Sequence, residues 1–162
     1  MTAQVRTEFV GVADAVKALR RVDPELRKQF PRDVKQITRP IVTEAQNSYP
    51  EEYLSGMTRA WAPRGRPVMP YDQRKARSGV QTKVDTRRGA HAVIAVTQRD
   101  AAASIIDMAG KRSSNPLGTA LDRFGQPSRV MWPAAERNLP AVERELSDAV
   151  TAVMRRTSEE LR

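Results

Sequence analysis

The chain has 162 residues, enough for one domain, and contains no cysteine, which excludes a disulfide framework, thiolate metal sites and cysteine nucleophiles. Lysine and arginine number 28 against 19 acidic residues, and the resulting charge of +9 points to acidic partners rather than to any particular fold. No apolar run approaches the roughly 20 residues of a membrane span, and residues 1–6 lack the apolar segment of a secretory leader, so a soluble protein that is not exported by that route is expected.

In chain order, a short amphipathic piece with Val12, Val16 and Leu19 follows residues 1–10, which are expected to be a flexible end. The first strong helix signal is Asp23-Pro24-Glu25. Asp suits an N-cap, Pro the first helical position, and Glu the positive end of the helix dipole. From there Leu26, Phe30, Val34, Ile37, Ile41 and Ala45 recur at spacings of four and three, which places them on one helical face. Pro31 and Pro40 interrupt that face, so the pattern predicts a kink or two consecutive segments ending at Tyr49-Pro50.

Residues 56–78 are rich in Gly, Pro, Ser and Arg and read as a long basic loop, of a length that usually signals function or disorder. Val80, Thr82 and Val84 then alternate with Gln81, Lys83 and Asp85, residues 86–89 supply a turn, and residues 90–97 give a second β-rich run. The pair predicts a hairpin. Residues 103–109, whose length and Ile105-Ile106 pair allow either strand or helix, are read as a third strand. Residues 111–116 form a second basic loop, and residues 117–124 a short helical turn. A last helix is expected to start near Trp132-Pro133 and to carry Leu139, Val142, Leu146, Ala149, Val150, Val153 and Met154 on one face. Pro140 is expected to offset its first turns, and residues 156–162 to fray.

Helices segregated from consecutive strands indicate a single α+β domain over residues 1–162. The expected architecture is a small antiparallel sheet of about three to four strands, covered on one face by two long helices, with a long basic loop.

Nothing in the sequence composes an active site. His91 is the one histidine and has no neighbouring carboxylate, so an ordinary polar strand residue is the better reading than a general base. A zinc site would have to rest on carboxylates alone. Glu51-Glu52, Asp100 and Asp107 make no motif, and the glycines are isolated singles without a phosphate-cradling pattern. No catalytic residue, cofactor or metal site is expected, and the chain is read as a non-enzyme.

The basic residues carry more information. Arg59, Arg64, Arg66, Arg74, Lys75, Arg77, Arg87, Arg88, Lys111 and Arg112 all fall in segments read as loops or turns. Scattered charge usually serves only solvation, but this set is a candidate surface for phosphates or an acidic protein. Trp61 and Tyr71 are the only aromatics near it, too few for base stacking, so any DNA contact would be backbone-directed and non-specific. Trp61 and Trp132 are candidate anchors, either of a core or of an interface.

Several segments in order resemble the small neck and tail-completion proteins of long-tailed bacteriophages, particularly those of actinobacterial hosts. They are residues 22–28 leading into the helix through residues 37–45; Pro50 followed by Ser55-Gly56; the basic hairpin; and Arg129-Val130-Met131-Trp132-Pro133-Ala134 opening a long C-terminal helix. Together they span about residues 10–155. Ser55-Gly56 stands where Thr-Gly is more frequent, and the Pro-rich insertion from Trp61 to Ser78 is long. The resemblance implies a virion protein, assembled in the host cytoplasm, that forms a ring, usually sixfold, between portal and tail. Its implied neighbours are the tail-tube protein and head–tail connector or stopper proteins, with possible non-specific contact to packaged DNA and none to membrane. A tail terminator is the nearest alternative, and a basic DNA-binding module is the alternative of another class.

Overall fold

Thr38 divides the first helical stretch into α1 (Pro24–Ile37) and α2 (Arg39–Ser48) in the computed structural model, which describes residues 4–7, 24–54, 57, 70–85, 93–110 and 116–160. Of the two prolines, Pro40 sits at the start of α2, where its missing N–H has no helical partner to lose, while Pro31 is accommodated inside α1. Of the expected apolar face, Phe30, Val34, Ile41 and Ala45 are buried and Ile37 is partly buried against the core. The Thr38 hydroxyl lies 2.9 Å from the Val34 carbonyl and 2.7 Å from the hydroxyl of Thr82, tying the break between the helices to the sheet.

The segment read as a long loop contains a helix, α3 (Gln73–Gly79). This corrects the loop boundaries at their C-terminal end, and the cause is capping. The Asp72 carboxylate accepts from the N–H of Arg74 at 2.8 Å and of Lys75 at 3.1 Å, satisfying two donors of the first turn. Ala76 alone supplies an apolar contact from the centre of α3 to the core, so no periodic pattern announced the helix.

β2 (Val80–Asp85) follows directly and pairs antiparallel with β3 (Val93–Gln98) over its whole length, from Val80 opposite Gln98 to Asp85 opposite Val93. On the other side of β3 lies β1 (Gln4–Thr7), giving the order β1-β3-β2. β1 comes from the segment read as a flexible end. The run read as a third strand is instead a helix, α4 (Ala101–Met108). Asp100 caps it by accepting from Ala103 N–H at 2.8 Å, and three consecutive alanines favour the helix over the β preference of Ile105 and Ile106. α5 (Pro116–Leu121) and a 3₁₀ turn (Asp122–Phe124) lead to α6 (Met131–Glu160). α6 is continuous through Pro140 and reaches Glu160, without the offset expected at Pro140 and beyond the expected onset of fraying.

The fold is therefore α+β, with six α-helices among the described residues and an antiparallel sheet. Its core joins Val80, Ile94 and Val96 of the sheet to Phe30, Val34 and Ile41 and to Ala135, Val142 and Leu146 of α6. Tyr53 packs edge-on against Tyr71 at 5.7 Å and against Phe124 at 5.4 Å between ring centres. α6 is also joined to α2 by Glu44, whose carboxylate accepts from both Arg137 and Asn138. Those two donors hold the Glu44 carboxyl below its ordinary pKa, Asn138 contributing most.

Candidate functional site

The phase of the antiparallel ladder decides what the sheet offers at its β2 edge. Arg99 N–H donates to the Gly79 carbonyl at 2.9 Å, so 79 and 99 form a hydrogen-bonded pair. Such pairs alternate along an antiparallel ladder, which turns the backbone of Gln81 and Lys83 towards β3 and that of Val80, Thr82 and Val84 outward. Gln46 of α2 donates its side-chain amide to the Val80 carbonyl at 3.3 Å and closes that end of the edge. The N–H and C=O groups of Thr82 and Val84 have no such partner among the described residues.

Those groups open into a groove of about 740 Å³ lined by Pro31 and Lys35 of α1, by Gln81 to Val84, and by Thr97 and Arg99 of β3 and its exit. Lys35, Lys83 and Arg99 are exposed and form no ion pair among the described residues. Arg99 is oriented by a 3.2 Å hydrogen bond to the Gln81 side chain. A strand edge with donors and acceptors free, and three cations without an ion pair, among the described residues can bind an extended chain that brings negative charge.

Of the basic residues picked out from the sequence, Arg74, Lys75 and Arg77 lie exposed on α3, not in a loop. Arg77 also donates to the Tyr49 carbonyl at 3.4 Å, which gives it a part in the fold. Arg59, Arg64, Arg66, Arg87, Arg88, Lys111, Arg112, Trp61 and His91 lie outside the described residues, as does Ser55-Gly56. Trp132 is 52% exposed and does not anchor the core; its neighbours Val130 and Met131 fill that place.

Sequence reasoning did not select Lys35, Lys83 or Arg99. A signal existed for Lys83, whose position between Thr82 and Val84 puts it on the face opposite the core. Nothing local connects Lys35 or Arg99 to it, because the fold alone brings α1 and the exit of β3 to one groove.

Among the carboxylates, Asp107 is fully buried and serves the fold. It accepts from Val130 N–H at 2.7 Å at the head of α6. Glu52 accepts from Met57 N–H, and Asp72 and Asp100 are helix caps. Among the described residues no group of three or more His, Asp or Glu side chains is placed to hold a metal ion, and no helix is long and apolar enough to cross a membrane. No family model, curated protein or solved structure matches the chain.

Proposed function

We propose that this chain is a structural, non-catalytic protein of a tailed-bacteriophage virion, forming a ring in the neck or tail-completion region that joins tail to head. The reading draws its context from the ordered likeness of residues 22–45, Pro50, the hairpin and residues 129–134 to that family. The observation that carries it is the outward-facing backbone of Thr82 and Val84 beside cations without an ion pair among the described residues. A ring that joins tail to head must also meet proteins other than itself, and an open strand edge is a surface to which a partner's extended segment can add. A sixfold ring is favoured, with the tail-tube protein and the connector or stopper as neighbours. In this reading a sheet of three to four strands carries the partner-docking edge, with two long helical arms, α1–α2 and α6, on one face.

Cryo-electron microscopy of the head–tail junction in particles of the encoding phage tests this. Ring density for this chain between connector and tube is the expected result. Density directly on the last tube ring would instead assign a tail terminator, and absence from the particle would overturn the virion reading.

The exposed Arg74 and Lys75 of α3 favour a second reading, a basic module that binds DNA through its backbone. That module would bind bare duplex tightly, with log affinity falling linearly against log salt at a slope of about −0.9 per phosphate contacted. The assembly reading expects weak binding, with Arg74→Ala and Lys75→Ala impairing tail joining while the monomer stays folded.

A further inference from the structure

We infer that the β2 edge is a docking site for an extended acidic segment of a partner protein, which adds to the sheet as a strand beside Thr82 and Val84. This gives the assembly reading above its partner chemistry and rests on it.

Thr82 and Val84 each present one N–H and one C=O to the groove, so the edge asks for acceptors and donors in alternation. Another extended peptide backbone supplies both at the matching repeat. A DNA backbone supplies acceptors only and would leave the two carbonyls unmet. Gln46 already occupies the Val80 carbonyl, which fixes where the added strand begins.

Charge then selects the side chains. A residue placed opposite Lys83 on the added strand lies on the same face as Lys83, within reach of a cross-strand ion pair. Arg99 borders the groove at the β3 exit and Lys35 borders it from α1, so acidic residues on either face of the incoming strand meet a cation. A second copy of this chain fits poorly, because it would bring a further charge of +9 to a cationic groove. The groove volume, about 740 Å³, lies within the range of roughly 300–1,000 Å³ typical of ligand-sized clefts.

The test uses the full chain and a blocked peptide of about eight residues alternating glutamate and valine, the length of an ordinary strand. Titration calorimetry measures affinity, and amide hydrogen exchange reads out Thr82 and Val84. Binding should protect both amides. Val84→Pro removes one outward donor without touching the β2–β3 ladder, and should weaken binding by at least about tenfold. Lys35→Glu with Lys83→Glu should abolish it. A peptide N-methylated at alternate residues, or one with lysine for glutamate, should not bind. Equal binding by the N-methylated peptide, by the lysine peptide or to Val84→Pro would overturn the proposal. So would displacement of the peptide by a second copy of the chain, seen as a dimer that Val84→Pro dissolves, or by duplex DNA that protects neither amide. None of these measurements needs the particle, so peptide binding and location in the virion fail separately.

Discussion

Asp107 and Arg129 sit together where α4 meets α6, Arg129 donating to backbone carbonyls and Asp107 accepting from a backbone N–H and from the Ser128 hydroxyl. The Arg129 guanidinium donates to the carbonyls of Ile106 at 3.0 Å, Asp107 at 3.2 Å and Leu121 at 3.1 Å. The Asp107 carboxylate accepts from Val130 N–H and, from 23 residues away in sequence, caps the start of α6. The Arg129 guanidinium also lies 3.9 Å from the Asp122 carboxylate, so that its charge is met there while its hydrogen bonds stitch three segments together. Buried polar groups satisfied in this way fix one arrangement of the junction.

Asp107→Ala leaves the Val130 N–H without its acceptor, and should destabilise the fold by about 1–3 kcal/mol in urea unfolding. Asp107→Asn keeps the Oδ1 acceptor and should cost less. Burial raises the Asp107 pKa more than Val130, Met131, Arg129 and Ser128 lower it. A raised carboxyl pKa favours the fold fully below the unfolded value near 4, and that contribution is lost as pH rises through the folded value. The stability of Asp107→Asn relative to the wild-type chain should therefore rise between pH 4 and 7, and a constant difference would refute the assignment.

Gly79 is buried, and a Cβ there would collide with the Gln98 side-chain oxygen and reach 3.0 Å from Asp100 N. Gln98 has nowhere to retreat, since its amide donates to the Ala76 carbonyl at 2.8 Å and its oxygen accepts from Asp100 N–H at 2.8 Å. Gly79→Ala should cost about 1–3 kcal/mol by overpacking. The same change in a Gln98→Ala background should cost clearly less, and purely additive effects would sink the explanation.

The three tyrosines of the chain, Tyr49, Tyr53 and Tyr71, are all buried, and burial pushes each hydroxyl upward, Tyr71 to about 12 and the other two further. The Tyr71 hydroxyl also donates to the Pro50 carbonyl at 2.6 Å. Because the folded values lie above the unfolded value of about 10, the folded state holds protons that the unfolded state releases. Their stabilisation is complete below pH 10 and is lost as pH rises past it. Tyrosinate absorbance should stay flat through pH 10 and then rise together with loss of helical circular dichroism. A gradual rise centred at pH 10 in folded protein would contradict the burial.

On α6, Leu146 is 1% exposed whereas Met154 is 44% exposed. Leu146→Ala should cost about 2–5 kcal/mol, and Met154→Ala less than about 0.5 kcal/mol. Similar values for the two in chemical unfolding would show that the buried face of α6 is misassigned.

Long periodic patterns were the legible part of the fold. The repeat from Phe30 to Ala45 and that from Val142 to Leu146 mark buried helix faces, and the alternation from Val80 to Val84 marks β2. Short elements were not legible, because capping and pairing, not periodicity, set them. Asp72 makes a helix of a stretch whose only apolar core contact is Ala76, and Asp100 overrides the strand preference of Ile105 and Ile106. β1 is four residues long and pairs with β3 across more than eighty positions, so no local window contains its partner. The groove has the same character. Lys35, Lys83 and Arg99 come from three elements, and the phase of the ladder, not composition, makes the edge between them receptive.

The contact between Thr38 and Thr82 gives the sheet edge a mechanical role. Thr38 has one hydroxyl proton, and the Val34 carbonyl at 2.9 Å takes it, which leaves Thr82 as the donor of the 2.7 Å bond between the two hydroxyls. The Thr38 carbonyl in turn accepts from Val42 N–H in α2, and Glu44, two residues on, grips Arg137 and Asn138 of α6. Tension applied to β2 at Thr82 therefore passes through the joint between α1 and α2 and into the longest helix of the molecule. A strand pulled from its edge would be resisted along that whole chain of bonds, spreading force over three elements before any one of them yields.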